Sequence, residues 1–124
     1  MTDSEFDILI TRAMNELPDK YISGLQNVAI VMADEPTAEQ KHKMRIDDGH
    51  LLLGLYEGIP LTRRSSGYNF VLPDKITLFK NQILAASSNQ TELFESIKRT
   101  LWHEVAHYYG LGHGRIDQLQ RYDK

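Results

Sequence analysis

One long amphipathic helix near the C-terminus constrains the fold more than any other segment. Asn89 and Glu92 fit the N-cap and the third helical position, which predicts a helix from Asn89 to about Tyr109. At 100° per residue, one side of this helix is apolar. The residues on that side are Leu93, Phe94, Ile97, Leu101, Val105 and Tyr108. Gly110 follows, and because glycine tolerates a left-handed backbone, the helix is expected to stop there.

A second amphipathic helix is predicted over residues 3–17. Its apolar positions follow the i, i+3, i+4, i+7 spacing that places them on one face. Thr2 and Glu5 can form a capping box, and Pro18 is expected to end the helix. Residues 81–88 predict one short helical turn.

Three short segments have the composition of β-strands. Residues 27–33 are apolar with polar flanks, which predicts a buried strand. Residues 51–57 predict a second strand, in which Gly54 marks a bulge or a close approach. Residues 75–80 predict a third strand, and their alternation suits an edge position. Residues 34–50 are polar without periodicity and predict a long loop.

Composition narrows the class of protein. A chain of 124 residues predicts a single domain, 1–124. The absence of cysteine excludes a disulfide scaffold and a cysteine-based zinc site, and it suits a reducing compartment. The net charge of −3 argues against a nucleic-acid partner. The sequence shows neither a signal peptide nor a membrane-spanning stretch, so a cytoplasmic location without a membrane partner is predicted.

The long helix carries the residues with the clearest chemistry. His103 and His107 are four residues apart, so their imidazoles share one face and can converge on one metal ion. Glu104 is rotated by about 100° from His103, which makes it a poor third ligand but a suitable base beside the metal. This is the HExxH arrangement of zinc hydrolases.

The residues after this helix can complete a zinc site. Catalytic zinc typically takes three protein ligands and keeps one open position. Gly110 lets the chain turn back, and His113 follows three residues later, so HEVAHYYGLGH fits HExxHxxGxxH at every specified position. His103, His107 and His113 are therefore the predicted Zn²⁺ ligands, and Glu104 is the predicted catalytic base. Asp117 is a candidate acceptor for a ligand imidazole.

Two plainer interpretations compete with a catalytic site. The histidines could be ordinary helix residues, or they could hold a structural metal without turnover. A structural site needs four protein ligands and no base, so Glu104 favours the catalytic interpretation.

The order of the segments resembles a known family. The stretches NVAIVMADEP, LLGLYEGIPL, LPDKITL and HEVAHYYG are similar to those of small bacterial minimal zincin metallopeptidases, over about residues 3–119. The resemblance implies an α+β fold with a small mixed sheet of three to four strands, packed on an N-terminal helix and on the long active-site helix. It also implies an edge strand beside the metal cleft that can pair with an extended peptide, for which residues 75–80 are the candidate.

The chain departs from that family at one position. Aspartate usually stands where this sequence has His113, although either residue can ligate zinc. His113 makes the site similar to that of the metzincins, but no methionine follows Met44 to supply their Met-turn.

The sequence therefore predicts a zinc-dependent metallopeptidase whose partner is a peptide or protein substrate. Two alternatives stay open. One is a zincin-fold module that binds metal without turnover. The other is a metal-dependent endoribonuclease, which has similar histidine spacing but typically lacks the glutamate found here at position 104.

Overall fold

A three-stranded mixed sheet lies against two long helices. The computed structural model describes residues 1–47, 49–65 and 72–111. In chain order the elements are α1 (Asp3–Glu16), α2 (Asp19–Ser23), β1 (Val28–Ala33), α3 (Ala38–Lys43), β2 (Gly54–Glu57), a 3₁₀ turn (Leu61–Arg63), β3 (Asp74–Phe79), α4 (Lys80–Ala85) and α5 (Gln90–Tyr108). The predicted α+β class with a sheet of three to four strands is confirmed.

The strand order in the sheet is β1-β3-β2. β1 runs parallel to β3, with Val28 opposite Asp74, whereas β2 runs antiparallel to it, with Gly54 opposite Leu78. The prediction that residues 75–80 form an edge strand is therefore wrong. β3 is the central strand, and this position agrees with its burial, because only Lys75 is exposed along it. β1 and β2 form the two edges.

One face of the sheet carries the main core. α1 and α5 pack against each other, and α5 also contacts β2 and β3. The buried apolar residues of this cluster come from α1, β3, α4 and α5 and from the chain next to α1: Phe6, Ile10, Ala13, Leu17, Ile76, Leu78, Ile83, Leu93, Phe94, Ile97, Leu101, Trp102, Val105 and Ala106. A smaller cluster on the other face contains Leu52, Leu55 and Phe79.

The helix boundaries follow the capping residues of the sequence. Thr2 and Glu5 form the predicted capping box of α1, with Glu5 N–H donating to Thr2 Oγ1 at 3.1 Å. The Asn89 side chain accepts a hydrogen bond from Glu92 N–H at 2.9 Å and begins α5 as predicted.

The segment 34–50 is not the continuous loop that its polarity predicts. It contains α3, whose N-cap Thr37 forms a capping box with Gln40. Of the described helices, none combines the length and apolar character that crossing a membrane requires.

Candidate metal centre

Helix α5 brings the two predicted imidazole ligands together. The rings of His103 and His107 lie on one side of the helix with centroids 4.7 Å apart and planes inclined by 69°. Both side chains are half-buried. With Glu104, each residue offers one ligand atom, and these three atoms lie within 4.8 Å of one another. Two imidazoles with an adjacent carboxylate suit zinc, so the donor set on the described part of the chain fits that metal.

Glu104 faces the sheet rather than bulk solvent. Its residue surface is 8% exposed, and its carboxylate accepts a hydrogen bond from the backbone N–H of Tyr56 on β2. Burial raises the pKa of this carboxyl group from 4.5 to about 7, although the Tyr56 hydrogen bond acts in the opposite direction. A carboxylate whose pKa lies near neutrality is well matched to accept and return a proton.

The register of β2 explains why the Tyr56 backbone can reach Glu104. Phe79 N–H donates to Leu53 C=O at 2.9 Å, so these two residues form a hydrogen-bonded pair at the start of the β2–β3 ladder. Such pairs alternate along antiparallel strands. The main-chain groups of Gly54 and Tyr56 therefore point away from β3, toward the side of β2 that no described strand pairs with, and β2 itself lies against α5, which carries Glu104.

Gly54 allows β2 to lie close to α5. A Cβ atom built at Gly54 would lie 2.6 Å from the Thr100 Cγ2 methyl and 3.3 Å from both Glu104 Cγ and Thr77 O. The prediction that Gly54 marks a close approach is confirmed, because a larger residue would push the strand away from Glu104.

The last turn of α5 is fixed by two tyrosines. The Tyr108 hydroxyl accepts a hydrogen bond from Gln26 N–H at 3.1 Å, and the Tyr109 hydroxyl donates to Tyr21 C=O at 2.7 Å. Gly110 then has φ +75°, the left-handed conformation predicted to end the helix. These contacts hold His107 in a defined place at the helix end.

Two predicted site residues lie beyond the described part of the chain. His113, the predicted third ligand, and Asp117, the candidate acceptor, both follow residue 111, so their roles stay predictions.

The Tyr56 main chain is the contact that sequence reasoning missed. The stretch LLGLYEG predicts a strand, but a backbone hydrogen bond to Glu104 depends on the register between β2 and β3 and on the packing of α5. No residue type in the sequence indicates either of these.

Burial of Glu104 predicts a pH-dependent stability of the metal-free protein. The pKa of Glu104 is about 7 in the folded chain, compared with 4.5 for an exposed carboxyl group. Between pH 4.5 and pH 7 the folded state therefore binds more protons than the unfolded state. Stability is therefore lost as the pH rises through this window and stays lower above it, by about 3 kcal/mol. The side chain in Glu104→Gln cannot ionise. At pH 8 the variant should therefore have a higher free energy of unfolding than the parent, and this difference should be much smaller at pH 4.5. Urea denaturation with chelator at both pH values measures this, and an equal difference at both would contradict it.

The family comparison covers most of the chain, including both imidazoles and Glu104. A sequence model described as zincin-like metallopeptidase matches residues 25–122. A search of curated proteins gives no significant match.

Proposed function

The chain belongs to the zincin-like metallopeptidase family, and on that premise we propose that it is a zinc-dependent peptidase that hydrolyses peptide bonds. The observation that carries the proposal is the cluster of His103, Glu104 and His107, in which a buried carboxylate lies beside two convergent imidazoles. We propose a cytoplasmic location, with which a cysteine-free chain is compatible.

In this proposal the two imidazoles of α5 hold the metal. His113 is the proposed third ligand, and Asp117 is a proposed acceptor for a ligand N–H. Bound zinc supplies Lewis acidity, which polarises the scissile carbonyl and makes water a stronger acid. His103 and His107 contribute a fixed spacing, because both lie on the same rigid helix.

Glu104 moves the proton in the proposed reaction. As the water oxygen bonds to the carbonyl carbon, a Glu104 carboxylate oxygen takes the water proton. The same carboxyl group then gives a proton to the amide nitrogen as the C–N bond breaks. The hydrogen bond from Tyr56 N–H fixes the orientation of the carboxylate, so both transfers start from one geometry.

The proposed substrate is an extended peptide or a flexible protein segment. The N–H and C=O of Gly54 and the C=O of Tyr56 point away from β3, to the edge of β2 that no described strand covers, whereas the Tyr56 N–H is already engaged by Glu104. An extended peptide can add to such an edge through main-chain hydrogen bonds, which would place a peptide bond near the carboxylate. This assigns to β2 the substrate-pairing role that the sequence assigned to residues 75–80.

Metal dependence tests the proposal. The purified protein should contain zinc in stoichiometric amounts and cleave members of an unstructured peptide library. Chelation should abolish cleavage, and added zinc should restore it, because the Lewis acid is returned to the same ligands. Magnesium is the control, since it prefers oxygen ligands in octahedral geometry.

Two outcomes would overturn this proposal in different directions. Stoichiometric zinc without chelator-sensitive cleavage would indicate a metal-binding module without turnover. Cleavage of RNA, with an affinity that falls steeply as salt rises, would indicate an endoribonuclease.

A further inference from the structure

A buried ion pair contacts Tyr56 of β2 and Tyr108 of α5. Arg64 Nη2 is 2.6 Å from Asp74 Oδ2, and the two side chains are only 6% and 5% exposed. Arg64 follows the 3₁₀ turn after β2, whereas Asp74 begins β3. The pair therefore links the chain segment that follows β2 with β3, the central strand of the sheet.

Both charged groups make further hydrogen bonds within the fold. Asp74 accepts from the Tyr56 hydroxyl at 2.5 Å and from Ile59 N–H at 3.3 Å. Arg64 donates from Nε to Ile59 C=O at 2.9 Å and from Nη1 to Gln26 C=O at 3.0 Å. Three different nitrogens of the guanidinium are thus engaged in fixed directions, which lysine could not reproduce.

The same network reaches the end of the active-site helix. The Arg64 guanidinium lies 5.0 Å from the centroid of the Tyr108 ring, and the Tyr56 ring meets that ring edge-on at 6.1 Å. Tyr108 is fully buried and directly follows His107. The network therefore contacts both β2, which carries the hydrogen-bond donor to Glu104, and the helix turn that carries a proposed metal ligand.

Tyr56 connects the ion pair to the proposed base. Its hydroxyl donates to Asp74, and its backbone N–H donates to Glu104. Burial raises the pKa of the Tyr56 hydroxyl well above its usual value, and the hydrogen bond to Asp74 adds to this. The hydroxyl consequently stays a neutral donor. Tyr56 is held at both ends, with one end at the ion pair and the other at the proposed active site.

A buried ion pair is a poor means of gaining stability, because desolvation of the two charges offsets much of their attraction. Its directional hydrogen bonds instead fix the relative placement of the segments that it joins. We propose that Arg64 and Asp74 are positioning residues that hold Tyr56 so that its backbone N–H stays on Glu104. The catalytic consequence rests on the proposed peptidase function, whereas the hydrogen bond itself does not.

Hydrogen exchange of the Tyr56 amide in the metal-free protein tests the proposal without any activity. Tyr56→Phe removes only the hydroxyl that reaches Asp74 and keeps the backbone donor. The Tyr56 amide should then exchange about 10-fold faster or more, because β2 opens locally. Tyr109→Phe is the matched control, since it removes a similar hydroxyl hydrogen bond at the end of α5 without contacting Asp74. The control should leave Tyr56 exchange within about twofold of the parent.

Hydrogen exchange of the β1 and β3 amides distinguishes local opening of β2 from a general loss of stability. In Tyr56→Phe these amides should exchange at the parental rate. Equal exchange of Tyr56 in the parent and in Tyr56→Phe would overturn the proposal, as would a parallel increase throughout the sheet. Asp74→Asn gives a harsher second test, and it should accelerate Tyr56 exchange further because Arg64 loses its counter-charge.

Kinetics supply the catalytic part of the test. In Tyr56→Phe, kcat should fall by about 10-fold while KM changes less than twofold, because a misplaced base affects the chemical step more than substrate binding. An unchanged kcat together with faster Tyr56 exchange would overturn the catalytic role. If the parent cleaves no peptide, the proposed peptidase function fails, whereas the exchange experiment still decides the positioning role.

Discussion

Glu104→Gln is expected to keep zinc bound and to lower the rate of peptide hydrolysis by about three orders of magnitude. Glutamine has nearly the same size as glutamate, and its amide oxygen can still accept the hydrogen bond from Tyr56 N–H. It cannot take a proton from water at neutral pH. The variant therefore removes proton transfer while it leaves the packing around β2 and the two imidazoles intact.

The measurement pairs metal content with single-turnover rates on one cleavable peptide. Glu95→Gln is the matched control, because Glu95 lies on the same helix but is exposed and about two turns before His103. It should cleave at the parental rate. A Glu104→Gln protein that binds zinc and cleaves as fast as the parent would show that Glu104 is not the base.

This variant should also separate stability from activity. Above pH 7 the buried Glu104 carboxylate destabilises the metal-free fold, so its replacement by a neutral side chain raises stability. Glu104 is thus expected to lower stability and to be required for turnover, a combination that is typical of active-site residues.

Gly54→Ala is expected to destabilise the fold by about 2–3 kcal/mol. The added Cβ would lie 2.6 Å from the Thr100 methyl, and Thr100 is buried in the middle of α5. The simplest relief is a displacement of β2 away from the helix, which would also move Tyr56 N–H away from Glu104. Urea denaturation measures the loss of stability, and peptide cleavage should decline with it.

A second substitution can show that the collision is the cause. Thr100→Ser removes the Cγ2 methyl and keeps the hydroxyl. In the Gly54→Ala background it should restore more than half of the lost stability, whereas alone it should cost about 1 kcal/mol. The two contacts at 3.3 Å to Glu104 Cγ and Thr77 O limit the rescue. Simple additivity of the two substitutions would contradict this explanation, because contacting residues should show a coupling energy.

The parts of the fold that local chemistry controls could be predicted from sequence. The apolar spacing and the Asn89 cap gave α5 to within a residue or two, and Gly110 ends it with the expected positive φ. The pairing of His103 with His107 followed from helical geometry alone. Such features depend on residues within one or two turns of each other.

The features that the sequence did not predict correctly depend on contacts distant in sequence or have only a weak local signal. The order of the strands depends on pairing between residues distant in sequence, so the central position of β3 could not be obtained from its own alternation. The short helix α3 did have a signal, the Thr37 and Gln40 capping box, but the polarity of its surroundings obscured it. The Arg64–Asp74 pair joins residues 10 positions apart in the chain, and neither residue indicates its partner.

The strand order also affects how the chain can fold during synthesis. Of the strands in the described residues, β3 is the last to be made, yet it is the one that pairs with both of the others. β1 and β2 do not pair with each other, so the described strands form no two-stranded unit until residue 74 is available. The sheet is therefore expected to assemble in one late step through contacts distant in sequence, which is a slow route to a native topology. Until then β1 and β2 have unpaired main-chain groups and are open to association with other chains.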